Sequence, residues 1–180
     1  NVAIISDEWY DTRNTKTYVI NPSSPSQGPK VIFDRNAQDA YSDPGNFETR
    51  KNQYNRYVLA IENDNAYLIG NGFTKNGQFP FISEFNLKTL QTNRLYTSTY
   101  KDKKEDLLEI EDFKKGTVLV QIQSKNEYPN YYLRNFKQKN KLTPITAFKN
   151  PFESIKNVNK EVIKYNRKDG EVYLGEYASW

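Results

Sequence analysis

A single unit recurs three times along the chain, and it limits the choice of fold more than any other part of the sequence. Each copy is a strand that ends in Asn, a short turn, and a second strand of alternating apolar residues. The copies are TKTYVINPSSPSQGPKVIF, FPFISEFNLKTLQTNRLYT and YPNYYLRNFKQKNKLTPIT. A strand-end Asn closes a turn by hydrogen-bonding to the backbone two residues on, so each copy predicts an antiparallel hairpin.

The spacing of these units indicates a β-propeller. Asn21 and Asn86 are 65 residues apart, and Asn86 and Asn135 are 49 residues apart. The second spacing is close to the roughly 40–50 residues of one blade, and we interpret the polar segment 34–56 as an insertion that lengthens the first. Complete propellers have roughly 4–8 blades, so we predict an incomplete propeller of about two to three antiparallel blades. A meander or sandwich with similar hairpins is the alternative.

The composition favours an all-β chain. Hydrophobic residues make up 36% of the sequence and aromatic residues 14%. Aromatic side chains suit a pleated, half-buried face. Disordered segments, by contrast, are poor in aromatic residues.

Strands bounded by turn residues are predicted along most of the chain. They cover 2–6, 15–21, 30–33, 57–62, 66–70, 81–87, 91–96, 107–112, 117–123, 131–136 and 141–146. Residues 34–56 and the NGFTKNGQ segment are predicted as loops. The helix candidates are both short, Pro151–Asn157 and the YKDKKED segment.

Missing residue types exclude several chemistries within these 180 residues. The sequence has no His and no Cys, so it contains neither a Ser-His-Asp triad nor a thiolate site. We expect no cofactor and no bound metal. Basic and acidic residues are interspersed, which argues against a nucleic-acid partner, and no apolar run is long enough to predict a membrane span. The sequence also lacks Met, so we expect a mature form or a piece of a longer protein.

Three long blocks of the sequence resemble one family, the glutamyl endopeptidase-like branch of the prolyl oligopeptidase family of serine peptidases. The blocks, residues 6–54, 72–96 and 129–170, are similar to the propeller region of that family. The last block is the most specific, because Leu142–Gly170 resembles the family's LT-x-F-x-NP exit and its KE-(I/V)-(I/V)-x-Y-x-R-x-DG strand. After Gly170 the chain departs from the family pattern, which continues with an apolar strand and a Pro-Gly-Tyr loop.

The resemblance implies a division of the chain and a role. Residues 1–152 would be propeller blades, and residues 153–180 the junction and first strands toward a catalytic hydrolase domain. The implied function is that of a substrate-gating segment in a serine peptidase that hydrolyses peptides, with a preference for glutamate. These residues alone would be inert, while the parent protein would be an enzyme whose peptide substrate is bound through the missing catalytic domain.

A preference for glutamate implies a cationic substrate pocket, because guanidinium groups pair well with carboxylates. The candidates are loop residues within or beside the family-like blocks: Arg13, Arg50, Lys51 and Arg56. For each of them the competing interpretation is a solvated charge, or an ion pair with Asp11, Asp43 or Glu48.

Other functions stay open at this point. The main alternative is a stand-alone propeller-type binding module for peptide or glycan, and a carbohydrate-active enzyme ranks third. Incomplete propellers expose unpaired strand edges, so we expect self-association. The resemblance also implies export to a bacterial periplasm or secretion.

Overall fold

The computed structural model describes residues 1–155, 158–166, 168–170 and 172–179. Its regular structure is almost entirely antiparallel β-strand, and this part of the chain contains no α-helix. Short 3₁₀ turns occur at Pro25–Gln27, Ala40–Ser42 and Glu153–Ile155. The described sheets are open and separate rather than closed into a ring. The predicted all-β chain of antiparallel, incomplete propeller blades is confirmed.

The first sheet is a three-stranded meander of β1 (Ala3–Trp9), β2 (Asn14–Ile20) and β3 (Lys30–Asn36). The hairpin predicted between β2 and β3 is confirmed, with Thr17 opposite Phe33. β1 is longer than the predicted 2–6, because it pairs with β2 as far as Trp9 opposite Asn14.

The second sheet and its attached hairpins comprise nine short strands. They are β4 (Asn46–Phe47), β5 (Thr49–Lys51), β6 (Tyr57–Leu59), β7 (Ile61–Glu62), β8 (Asn65–Gly70), β9 (Phe73–Thr74), β10 (Gly77–Gln78), β11 (Phe81–Asn86) and β12 (Thr92–Thr97). The sheet order is β12-β11-β8-β4, with β7 also paired to β8. β5 pairs with β6 and β9 with β10, so each pair forms a small hairpin of its own.

The third sheet is a four-stranded antiparallel meander, as expected of one complete blade. Its strands are β13 (Lys103–Asp112), β14 (Thr117–Ser124), β15 (Asn130–Asn135) and β16 (Lys141–Pro144). The alternation of buried and half-buried residues along β14 follows the apolar spacing of TVLVQIQS. That period of two is what a strand with one face on a core requires.

A last hairpin follows, formed by β17 (Asn159–Asn166) and β18 (Val172–Ser179). It agrees with the strand expected over 160–167 and with pairing of the following segment, although Arg167 and Glu171 lie outside the described residues. Gly170, in the turn, has a φ of 88°, which favours Gly. The division of the chain into 1–152 and 153–180 stays a prediction.

The repeated Asn turn is present in all three sheets, each time in the final hairpin. The backbone N–H of Ser23 donates to Asn21 Oδ1 at 3.1 Å. Asn86 Oδ1 accepts from two successive N–H groups, at 3.0 and 2.9 Å. Asn135 Oδ1 also accepts two, at 3.0 and 2.9 Å. The turn chemistry predicted from the sequence is therefore confirmed.

The main core lies between the second and third sheets. Its buried residues are Tyr67, Ile82, Tyr96, Leu107, Ile110, Val118, Val120, Ile122 and Phe136. A second, aromatic cluster joins the first sheet to the second: the rings of Phe33, Phe47 and Phe85 lie with centroids 5.8–6.2 Å apart. Such aromatic contacts add to the stabilisation from burial alone.

Several local predictions were wrong. Residues 34–56 are not purely loop, because β4 and β5 lie within them, and the NGFTKNGQ segment holds the β9–β10 hairpin. The YKDKKED segment enters β13 rather than a helix, because its backbone pairs with β14. The second helix candidate reduces to the 3₁₀ turn Glu153–Ile155, and its last two residues lie outside the described part.

Candidate functional site

The strands of the second and third sheets define two ends. We call one the turn end; it carries the tight turns at 63–64, 87–91, 113–116 and 137–140. We call the other the linker end; it carries the 71–80 and 98–102 connections and the 125–129 loop. The antiparallel registers place these groups at opposite ends of the same strands. Each end has a pocket, and two of the predicted site residues, Arg50 and Lys51, line the one at the turn end.

The pocket at the turn end lies between the β5–β6 hairpin and the end of β13. Its volume is about 510 Å³, and it is lined by Thr49, Arg50, Lys51, Tyr57, Glu62, Glu109, Ile110, Glu111, Asp112, Phe113 and Lys114. Three of these side chains are cationic and four are anionic. The pocket can therefore offer both hydrogen-bond donors and acceptors to a ligand.

Glu62 lies between two cations of this pocket. Its carboxylate is 3.7 Å from Arg50 Nη1 and 3.7 Å from Lys114 Nζ. Arg50 also donates from Nη2 to the backbone oxygen of Ile61 at 3.0 Å. Lys51 lies over the Tyr57 ring, with Nζ 5.4 Å from the centroid. Arg50 is thus held in place by the strand next to it, while Lys51 stands beside an aromatic face.

A half-buried carboxylate ties this region to the third sheet. Glu48 accepts a hydrogen bond from the Ile110 backbone N–H at 3.2 Å, across 62 residues of sequence. Burial raises the pKa of Glu48, and the negative charge of Glu109 raises it further, against the opposite effect of that hydrogen bond. Its backbone is fixed as well, donating to Tyr67 O and accepting from Ala60 N–H.

The four predicted site residues divide into two groups. Arg50 and Lys51 are neighbours on β5 and line the pocket together. Arg13 lies on the β1–β2 turn, 3.8 Å from Glu8 and with its guanidinium 4.1 Å from the Tyr10 ring centroid. Arg56 lies in the turn before β6, where its N–H donates to Asn52. Neither Arg13 nor Arg56 lines the pocket.

Sequence reasoning missed the acidic part of the pocket. Glu62 precedes the turn at 63–64, and Lys114 lies in the turn at 113–116. Glu48 lies in a segment that was predicted as loop. The available signal was the position of NDN (63–65) and KKG (114–116) in turns at strand ends. In the structure these two turns lie at the same edge of two neighbouring sheets. The sequence does not show which sheets are neighbours.

The part of the chain that the structure describes holds no cluster of three or more His, Cys, Asp or Glu side chains placed to bind a metal. Nor does any of its helices have the length and apolar character needed to cross a membrane.

Comparison with known proteins finds no matching family model. The chain is 33% identical over 186 aligned positions to the probable chloroplastic glutamyl endopeptidase of Oryza sativa subsp. japonica, and 34% identical over the same length to that of Arabidopsis thaliana. Both alignments cover 94% of this chain and 19% of the relative. The chain therefore spans about a fifth of the length of the curated relatives it matches.

Among solved structures, TolB from Acinetobacter baumannii superposes with a TM-score of 0.38 at 14% identity. The alignment covers 97% of this chain and 41% of the TolB chain.

Proposed function

We propose that these residues form the propeller part of a serine peptidase of the prolyl oligopeptidase family, and that they restrict which peptides reach its active site. The observation that supports this most strongly is the similarity to two proteins named as probable glutamyl endopeptidases, which runs along 94% of the chain. The sequence has no His, so the base of a serine peptidase would come from residues outside these 180.

The gating role is proposed from the resemblance to the propeller region of the prolyl oligopeptidase family. A lid of blades excludes water and bulky substrates from a catalytic centre beneath it. The turn-end pocket would then contact the peptide as it enters. Arg50 and Lys51 are the proposed carboxylate contacts, since both line this pocket. Arg50 is paired with Glu62, whereas Lys51 forms no salt bridge with any of the described residues.

The test uses the natural full-length protein and two peptides that differ only by Glu or Gln at the cleavage position. We expect cleavage of the Glu peptide, blocked by a serine-directed inhibitor. Arg50→Gln and Lys51→Gln should each raise KM for the Glu peptide about threefold to fivefold, as expected for one partly exposed charge pair. The Gln peptide should show no such change.

Arg13→Gln is the matched control, because Arg13 carries the same charge outside the pocket. Equal effects of Arg13→Gln and Arg50→Gln would remove the pocket from substrate recognition. No cleavage of either peptide would overturn the peptidase proposal, and peptide binding without cleavage would favour the stand-alone binding module.

Two further expectations accompany this proposal. We propose that the chain self-associates through the outer edge of β1, which has no neighbouring strand among the described residues. Light scattering across a concentration series tests it, and a single monomer mass throughout would contradict it. Export to a bacterial periplasm or secretion is proposed from the family resemblance, and cell fractionation tests it.

A further inference from the structure

The pocket at the linker end differs in charge from the one already described. It has a volume of about 600 Å³ and lies between residues 76–79, which include strand β10, and the segment Tyr100–Lys104. Three lysines line it, Lys101, Lys103 and Lys104, and none of its lining residues is acidic. A cavity lined by one sign of charge raises the local concentration of the opposite charge.

Two of the three lysines already hold a carboxylate of this chain. Lys103 Nζ donates to both oxygens of Glu127, at 2.6 and 2.8 Å. Lys104 Nζ donates to Asp106 at 2.8 Å. Within the described part of the chain, the ammonium of Lys101 has no such carboxylate. An incoming anion would therefore meet Lys101 directly and would compete with Glu127 for Lys103.

Glu127 shows what kind of group this site accepts. Its loop is positioned by Ser124, whose hydroxyl accepts from the backbone N–H groups of Asn126 and Glu127 at 3.3 and 3.1 Å. Hydrogen bonding to Glu127 raises the pKa of Lys103, so this ammonium stays charged. The carboxylate rests on an exposed loop, and another carboxylate of the same size can replace it.

Tyr100 fixes one wall of the pocket to the core. Its hydroxyl oxygen accepts from Arg134 Nη2 at 3.3 Å. Arg134 is itself fixed by a 2.7 Å bond from Nε to the buried carboxylate of Glu105. The segment that carries Lys101 and Lys103 is thus anchored to the buried polar network.

We infer that the linker-end pocket binds the side-chain carboxylates of an acidic peptide segment, through Lys101 and Lys103. The pocket is a second peptide contact, at the opposite end of the sheets from Arg50 and Lys51. The inference rests on the proposed function for the source of the peptide, which would be a substrate or its acidic flank. Binding itself does not depend on cleavage.

The test measures binding of fluorescein-labelled hexaglutamate by fluorescence anisotropy, with hexaglutamine as the uncharged probe. The full-length protein is first treated with a serine-directed inhibitor, so that cleavage cannot affect the result. Salt is kept low, because surface charge pairs are screened strongly above about 0.1 M. We expect hexaglutamate to bind and hexaglutamine to bind much more weakly.

Three variants make the test specific. Lys101→Gln should weaken hexaglutamate binding about threefold to fivefold. Glu127→Gln should strengthen it, because the competing carboxylate on Lys103 is gone; a purely structural role for this ion pair predicts no gain. Lys139→Gln, which removes the same charge at the turn end, should leave the affinity unchanged.

Equal binding of the two peptides would overturn the inference. So would equal effects of Lys101→Gln and Lys139→Gln, which would show a response to net charge alone, or a failure of Glu127→Gln to raise the affinity. Since the inhibitor removes cleavage from the measurement, these outcomes are separate from failure of the peptidase proposal.

Discussion

Arg134 Nε lies 2.7 Å from the carboxylate of Glu105, and both side chains are almost completely buried, at 7% and 0% exposure. The same carboxylate accepts from the Tyr96 hydroxyl at 2.6 Å. Burial, together with this hydrogen bond and the charge of Glu105, raises the pKa of Tyr96 far above its ordinary value, so Tyr96 remains a donor. Strands β12, β13 and β15 are therefore joined by one buried polar network.

Breaking this network from one side leaves a buried charge without its partner. We expect Arg134→Met to lower the free energy of unfolding by about 3–5 kcal/mol. Adding Glu105→Leu to that variant should restore part of the loss, because it removes the unpaired carboxylate. Urea unfolding measures both variants. A loss below about 1 kcal/mol for Arg134→Met would mean that water reaches the pair.

The Asn turns supply a second, smaller contribution to stability. Asn135 accepts two backbone N–H groups, and each neutral hydrogen bond contributes about 0.5–1.5 kcal/mol. Asn135→Ala should therefore lower the unfolding free energy by about 1–3 kcal/mol. Gln138→Ala in the same turn is the control, since it keeps the N–H that Asn135 accepts. Similar losses in the two variants would remove the Asn side chain as the cause.

These turns were predictable because their chemistry is local. The Asn and the N–H groups it accepts are two or three residues apart, so the motif is visible in the sequence. The blade architecture followed from their spacing. The short strands β4 and β5 were missed because polar segments of two or three residues show no alternation. The YKDKKED segment was predicted as a helix candidate because nothing nearby in the sequence shows that its Glu105 is a buried strand residue. The partner of Glu105 is Arg134, 29 positions away.

The same reasoning explains the candidate site. Arg50 and Lys51 were identified as cations near a family-like block, and the structure places both in one pocket. The anions around them come from β7 and β13, which no local pattern connects to β5. The composition of a site between two sheets depends on tertiary contacts such as that of Glu48 with Ile110. Such contacts cannot be predicted from sequence spacing alone.

Glu48 gives stability a pH dependence. The pKa of Glu48 in the folded state is raised, chiefly by burial. At pH values between the ordinary pKa of a glutamate and this raised pKa, the folded state therefore binds more protons than the unfolded state. Stability therefore falls as pH rises through that window, and the full penalty is present above it. Glu48→Gln should be more stable than the natural protein above the window, since Gln can still accept from Ile110 N–H.

The advantage of Glu48→Gln should shrink as pH falls and vanish below the ordinary glutamate value of about 4.3. Urea unfolding at a series of pH values measures it. Glu111→Gln removes an exposed carboxylate charge on the same edge and is the control for the change in net charge. A constant difference at every pH would mean that Glu48 is not the titrating group.

Gly72 lies at the base of the hairpin that borders the linker-end pocket. Gly72 has a φ of 63°, and a Cβ there would collide with the backbone carbonyl of Phe79, whose N–H donates to Gly72 O at 2.9 Å. Gly72→Ala should therefore cost more than the about 1–2 kcal/mol of left-handed strain alone, because backbone must also move. Gly28→Ala is the comparison, since Gly28 also has a positive φ, 67°, with open space around it, and its ψ of 169° adds backbone strain of its own.

Two measurements separate strain from collision. In urea unfolding, Gly28→Ala should lose about 1–3 kcal/mol from backbone strain alone, and Gly72→Ala should lose more, because the carbonyl of Phe79 must also move. In the anisotropy assay, Gly72→Ala should also weaken hexaglutamate binding, because residues 76–79 line the pocket and the hairpin is displaced. Gly28→Ala should bind as the natural protein does. Equal losses of stability in the two variants would show that the hairpin absorbs the methyl group, and the Gly72 contact with Phe79 would then have no part in shaping the pocket.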